Sequence, residues 1–385
     1  MNERLLRVGT TLVAPVAAVL LALVLASVAL LATGESPLEV YRLMLDYGLE
    51  PRSVAAWLDQ ATPYYLSGIA VAIGFRMGLF NIGVDGQYRV AAFAAASVAG
   101  YVALPGPITL VLTVLTAVVV GALWAGIAGY LRTSRGVSEV ISTIMLNFVA
   151  TALVAYLLAE QLGVQSGNQL STPDVPEDAR VGQVSGLLRL VGLDVPDGAR
   201  LTGLIFLAVA VGVGYHLVLT RTRVGFDLRA TGMSASAARA SGVDAKRMTL
   251  VAMLASGAVA GLVGLPQLLS DSHNYSIDFP AGFGFTGIAV ALVGRNHPVG
   301  VALGAVLFAF IERAALILEF EDIPKEIGAI MQGSIVLSVV VAYEVVSRVL
   351  ARREEQAAAK VLEEPAPPPD DDEASSTRVP TGAGR

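Results

Sequence analysis

Apolar residues gather into long runs near 10–32, 54–75, 84–104, 107–131, 137–160, 201–220, 248–270, 299–318 and 327–349, with short polar or glycine-rich breaks between them. A bilayer core about 30 Å thick takes about 20 residues of helix to cross. Each run therefore predicts one membrane-crossing helix. A shorter run near 281–293 predicts a half-span or a tightly packed helix. The pattern describes an all-α polytopic membrane protein with about ten passes. The first run is too long for a removed signal peptide and lacks a convincing cleavage site, so it reads as an anchor.

Composition agrees: 55% of the 385 residues are hydrophobic and only 15% charged, with a mean hydropathy of +0.66. Soluble domains carry about a quarter charged residues. The formal net charge of -6 comes from acids outside the membrane and in the tail, and implies neither a basic partner nor nucleic acid. The chain has no cysteine, which excludes disulfides, thiolate metal sites and cysteine nucleophiles. His216, His273 and His297 are scattered without metal-ligand spacing. No lysine follows a glycine, so there is no P-loop. Neither catalytic residues nor a metal or cofactor site is expected in this chain.

Lysine and arginine set the orientation. With the N-terminus (1–9) in the cytoplasm, the inner side receives Arg4, Arg7, Arg76, Arg89, Arg132, Arg135 and the cations of 221–247, among others. The outer side receives only Arg42, Arg52, Arg180, Arg189, Arg200 and Lys325. Both termini are thus expected inside a multi-pass cell membrane protein, with the membrane region spanning 10–350. Residues 161–200 form an extracytoplasmic polar loop or small cap, and 351–385 a disordered, acidic, proline-rich tail.

Polar residues within the apolar runs are the candidates for chemistry. "FRMGLFNIGVDGQYR" packs Asn81, Asp85 and Gln87 among Gly78, Gly83 and Gly86. It reads either as a broken helix lining a path or as a short cytoplasmic turn in which Asp85 caps the second helix. In the fifth span Glu139, Thr143, Asn147 and Thr151 recur every fourth residue and form one polar stripe. A stripe suits a translocation wall better than isolated interhelical glue. Glu312 and Arg313, with Gln332 nearby, are expected to pair structurally, and His216 to lie at the interface. "GFGFTG" (282–287) and the pairs Gly257–Gly261 and Gly300–Gly304 are expected to mark close helix contacts rather than a dinucleotide loop.

"RATGMSASAARASGVDAKR" (229–247) is small-sided and basic. Ser234 or Ser236 can cap a short helix over Ala235–Ala240, which Gly242 can end in a left-handed conformation. Such a helix would have about two turns, roughly 10–12 Å.

"FNIGVDGQ", "SEVISTIMLNFVA" and the basic segment, in that order and spacing, resemble the permease subunits of bacterial ATP-binding cassette importers of the branched-chain amino acid and ribose superfamily, within it the nucleoside-uptake branch. The resemblance covers about 54–345. It implies a non-catalytic subunit that works beside a second permease, identical or homologous. It also implies a cytoplasmic ATPase that binds ATP and Mg, and an extracytoplasmic solute-binding protein. Two inverted-repeat halves, spans two to five and seven to ten, are implied too. Within 221–247 it places a coupling helix, with Arg229, Gly232, Ala237, Ala238, Arg239, Gly242 and Lys246 as the residues that meet the ATPase. A neutral nucleoside would pass amides, hydroxyls and aromatic faces, for which Tyr64, Tyr65, Asn81, Asp85, Gln87, Thr143 and Asn147 are the expected wall. A ribose-type sugar or a branched-chain amino acid is the alternative substrate. An ion-coupled secondary transporter is the alternative class, disfavoured by the poverty of acid and histidine relays.

Overall fold

The computed structural model describes residues 19–166, 169–190, 192–196 and 198–363. The N-terminal stretch, the start of the first run and the tail beyond 363 lie outside them. The described residues are mostly helical, with almost no sheet. In chain order the helices are α1 (Val19–Ala32), α2 (Pro37–Gly48), α3 (Pro51–Phe75), α4 (Val84–Tyr101), α5 (Gly106–Arg135), α6 (Glu139–Leu157) and the short α7 (Gly186–Leu190). They continue with α8 (Leu204–Arg221), α9 (Arg223–Met233), α10 (Ala235–Ala240), α11 (Ala245–Gly261), the one-turn α12 (Leu265–Gln267), α13 (Phe283–Val293), α14 (Pro298–Ala315) and α15 (Ile327–Glu363).

Five described helices are long and apolar enough to cross a membrane unaided: α5, α6 with its extension to Leu162, α8, α11 with its extension to Ser272, and α14 with its extension to Glu321. A sixth arises if α1 and α2, bent by 112° at their junction, count as one broken span. The other runs also fold as helices. α3 and α4 are simply less apolar, because neighbours rather than lipid surround them: Ser53, Thr62, Ser67, Asn81, Gln87 and Ser97 on or between them are buried. α2 lies where no run was expected. Its twelve residues bury Val40 and Met44 while Leu38 and Leu45 face outward, and its charged residues dilute the apolar signal.

Small residues bring the central helices together. A Cβ on Gly257 would overlap the Gly121 carbonyl of α5, and one on Gly261 the Ala117 carbonyl. Gly284 and Gly287 do the same for α13 against Asp85 and Ser67. Both glycine motifs therefore mark close backbone approach, and so does Gly300 against Gly294.

The described residues within 161–200 form a small cap. Strands Val164–Ser166 and Gln169–Ser171 pair antiparallel, and the Thr172 amide donates to the Tyr275 carbonyl at 2.9 Å. Leu188, Val195, Ala199 and Leu201 bury themselves against Ala55 of α3. α15 runs on to Glu363, past position 351 where the tail is expected to begin. The sequence "ARREEQAAAK" is made of strong helix formers, and the first proline comes only at Pro365.

Candidate functional site

α13 is the element on which the polar residues converge. Its eleven residues rise about 16 Å at 1.5 Å each, roughly half a bilayer. It begins at Gly282, whose φ of +94° is cheap only for glycine. The Asp85 carboxylate accepts from the amides of Gly282 at 2.8 Å and Gly284 at 3.4 Å. Asp85 thus caps neither its own helix nor a surface turn. It caps a helix that starts about two hundred residues later, and its negative charge suits that N-terminus. Two neighbours that the sequence did not single out hold the same turn. Ser67 donates to the Phe283 carbonyl at 2.8 Å and Tyr88 to the Pro280 carbonyl at 2.8 Å. The Phe283 ring sits 5.7 Å from both the Tyr64 and Tyr88 rings, edge-on to the first and stacked on the second.

The far end of α13 is tied to the same stretch of chain. Arg76 donates to the Asn296 carbonyl at 3.0 Å, and Tyr215 donates to that carbonyl at 2.8 Å. The segment 76–85 therefore grips α13 at both ends.

Between these grips lies an amide pair. Asn81 Nδ2 donates to Gln87 Oε1 at 3.0 Å and Gln87 Nε2 returns a bond to Asn81 Oδ1 at 2.8 Å. Asn81 also donates to Ser256 Oγ at 2.8 Å, and Ser256 donates to the Ala70 carbonyl at 2.6 Å. One buried network thus joins α3, α4 and α11. Such a network is strong only when fully satisfied.

The polar stripe of α6 packs onto the same break. Asn147 Oδ1 accepts from the Gly86 amide at 2.9 Å and its Nδ2 donates to the Ile82 carbonyl at 3.0 Å. Thr143 is fully buried and bonds to its own helix through the Glu139 carbonyl at 2.7 Å. Glu139 pairs with Arg132 at 3.3 Å, and Arg89 donates to Thr151 at 2.8 Å. A Cβ on Gly86 would lie 2.8 Å from Asn147 Oδ1, and one on Gly83 would lie 2.9 Å from Thr143 Cβ. The two expected motifs are therefore one contact surface.

Tyr64 and Tyr65, adjacent in sequence, point apart. The Tyr64 hydroxyl donates to Glu312. Tyr65 presses its hydroxyl against Gly212 of α8 and lines an apolar cavity of about 490 Å³ between α3, α8 and α14. His216 and His297 meet at its rim, ring centres 6.3 Å apart. Glu312 and Arg313 do not pair with each other as expected. Successive residues of a helix diverge by about 100°, and Arg313 instead reaches Ser53 at 3.4 Å and lies over the Tyr47 ring at 5.1 Å. Gln332 donates to the Phe308 carbonyl at 3.1 Å. Among the described residues no group of three His, Asp or Glu side chains is arranged to hold a metal ion.

The basic segment folds as two helices rather than one. α9 carries Arg229 and Gly232. α10 carries Ala237, Ala238 and Arg239. Ser234 caps α10, accepting from the Ala237 amide at 3.3 Å, and Gly242 follows it at φ +83°, both as the sequence predicts. α9 arises because Thr222 caps it too, accepting from the Gly225 amide at 3.1 Å. Asp244 caps α11 next to Lys246. Between α9, α10 and the start of α11 runs an open groove of about 1050 Å³, lined by Phe226, Arg229, Met233, Ala237, Ala238 and Arg247, with other residues. α9, one wall of this groove, also touches the helix break: a Cβ on Gly232 would overlap the Arg76 carbonyl, and Leu228 packs with Met77, Leu79 and Met248. The coupling candidates and the grip on α13 are thus in direct contact.

Residues 53–340 match the family described as branched-chain amino acid transport system / permease component, and the chain belongs to that family. It is 35% identical to the glucose ABC transporter permease protein TsgB13 of Haloferax volcanii, over 84% of this chain and 85% of that one. It is equally 35% identical to the guanosine ABC transporter permease protein NupP of Bacillus subtilis, over 87% and 94%. The nucleoside ABC transporter permease protein NupB of Lactococcus lactis is 27% identical over 86% and 90%. A solved structure, PsaBC from Streptococcus pneumoniae in complex with Fab, aligns with a TM-score of 0.39 at 13% identity over 80% of this chain and 95% of that one.

Proposed function

We propose that this chain is the translocating permease of an ATP-driven nucleoside importer in the plasma membrane, crossing about ten times with both termini in the cytoplasm and with two inverted-repeat halves. The nucleoside reading rests on relatives named for guanosine and nucleosides and on a central polar core built of amides, hydroxyls and rings rather than paired charges. A sugar is the second reading, since a glucose permease is as similar as the guanosine one. The chain itself carries no catalytic step. A separate ATPase would bind ATP and Mg, a solute-binding protein would deliver the substrate on the outer side, and a second permease would complete the pathway.

The observation that carries the mechanism is the continuity from the groove to α13. An ATPase seated between α9 and α10 would push on Arg76 and Met77 through Gly232. The 76–85 segment would then carry α13 with it, because Asp85 and Arg76 hold both its ends. Tyr64, Asn81, Asp85, Gln87, Thr143 and Asn147 form the wall in this reading, their internal hydrogen bonds being those a polar substrate replaces as the helices part, while Tyr65 lines the apolar cavity beside α8. The test is co-purification with the ATPase, alongside uptake competed by unlabelled nucleosides and sugars with and without a proton uncoupler. Ala238→Trp, which fills the groove, is expected to abolish ATPase capture and uptake with membrane insertion unchanged. Undiminished uptake by that variant, or uptake that collapses with the uncoupler alone, overturns the reading.

A further inference from the structure

Along the N-terminal half of α3, a second polar cluster surrounds a cavity of about 180 Å³. Asp59, Gln60, Arg200, Gln267, Ser270 and Asp271 contribute to its walls, and Phe283 supplies an apolar face. Asp59 accepts from the Thr202 amide at 2.9 Å. Arg200 pairs with Asp271, which also accepts from Gln267 at 2.8 Å. The Ser270 hydroxyl is buried and has no partner among the described residues. Gln60 lies beside the Tyr64 hydroxyl.

We propose that this cavity receives the sugar ring of the substrate, an inference that rests on the nucleoside or sugar importer reading. Vicinal hydroxyls need acceptors and donors side by side. The two carboxylates supply the first; Gln60, Gln267 and Ser270 supply the second. The less polar face of a sugar ring suits the Phe283 side. The volume is below the ~300–1,000 Å³ of sites that enclose a whole drug-sized ligand, so it holds one ring and leaves the rest of the molecule outside. The position also matters, because Phe283 is the first residue of α13. A ring bound here touches the element that the cytoplasmic groove would move.

The absence of cysteine makes a direct test available. Ser270→Cys places a single thiol in the cavity, and Glu177→Cys places one on the exposed cap as a control. Both variants are assembled with their ATPase and binding protein in proteoliposomes, and their modification by a small water-soluble methanethiosulfonate is timed. Uridine, guanosine and ribose at millimolar concentration are expected to slow modification at 270 severalfold. 2′,3′-Dideoxyuridine is expected to leave it unchanged, and none should affect 177. Should Ser270→Cys fail to assemble, or its buried thiol resist the reagent with no substrate present, Gln60→Leu gives a second reading: its half-saturating uridine concentration should rise about tenfold, with no such rise for the dideoxy compound. Labelled uridine, guanosine and glucose uptake by the unsubstituted importer is measured in the same vesicles. Normal uptake without hydroxyl-dependent protection overturns the cavity assignment and leaves the importer reading standing. No uptake of any of the three overturns both.

Discussion

The outer helices and the central ones obey different rules. α5 shows one face of Ile108, Val111, Leu115, Val119 and Leu123, each more than half exposed, and α6 shows Ile141 and Phe148. In α3, α4 and α13 the outward residues are few, and the buried ones include many alanines and glycines, with Ser53, Thr62, Ser67, Asp85 and Gln87 among them. Lipid asks only that a surface be apolar. A neighbouring helix asks for small side chains and satisfied polar groups. Hydropathy therefore describes the belt well and understates the centre, which is where the chemistry lies.

If this contrast holds, the largest effect should come from crowding the centre. Gly261→Val drives a branched side chain into the Ala117 carbonyl, and overpacking costs about 1–3 kcal/mol or more. The expected result is a sharp fall in the yield of folded protein and in its melting temperature in detergent. A wild-type melting temperature would show that α5 and α11 part readily. Asp85→Ala comes next. It leaves two amides of α13 without their acceptor, at about 1–3 kcal/mol, and uptake should be lost while the ATPase is still captured. Retained uptake would make the cap dispensable for movement of α13.

Asn147→Leu removes two bonds to the 82–86 turn, worth about 1 kcal/mol each. Uptake should fall strongly at equal membrane abundance, and Gly86→Val should exceed Gly86→Ala in the same assay. Leu123→Ala on the belt sets the lower bound. Away from packed features, a substitution changes stability by about 0.5 kcal/mol or less, so melting and uptake should both stay near wild type. A drop comparable to Asp85→Ala would mean that this face is covered by protein in the assembled importer, and the contrast would need redrawing.

What was legible in the sequence was what is local. The runs mark nine of the helices and the half-length α13 closely, because periodicity and length suffice. Ser234 and Gly242 gave the ends of α10 because a cap acts within one turn. α2 escaped because twelve residues with three charges leave no apolar run, and α9 because a loop-like composition hid the Thr222 cap. Asp85, Asn81 and Asn147 were visible as polar residues in apolar surroundings. Their partners were not, since Gly282 lies 197 residues from Asp85 and nothing near either residue encodes that distance. The separation of Glu312 from Arg313 was hidden for a similar reason: their partners, Tyr64 and Ser53, sit on another helix.

The shortness of α13 also constrains how the protein is made. In the proposed topology its eleven residues cannot reach across a hydrocarbon layer of about 30 Å, and the non-helical chain before it would meet lipid with unpaired amides. Asp85 accepts from those amides, and Ser67 and Tyr88 donate to the neighbouring carbonyls, but only after α3 and α4 are already in place. α13 is therefore a late arrival during biogenesis, admitted by a socket that earlier helices have built rather than by its own partition into the bilayer.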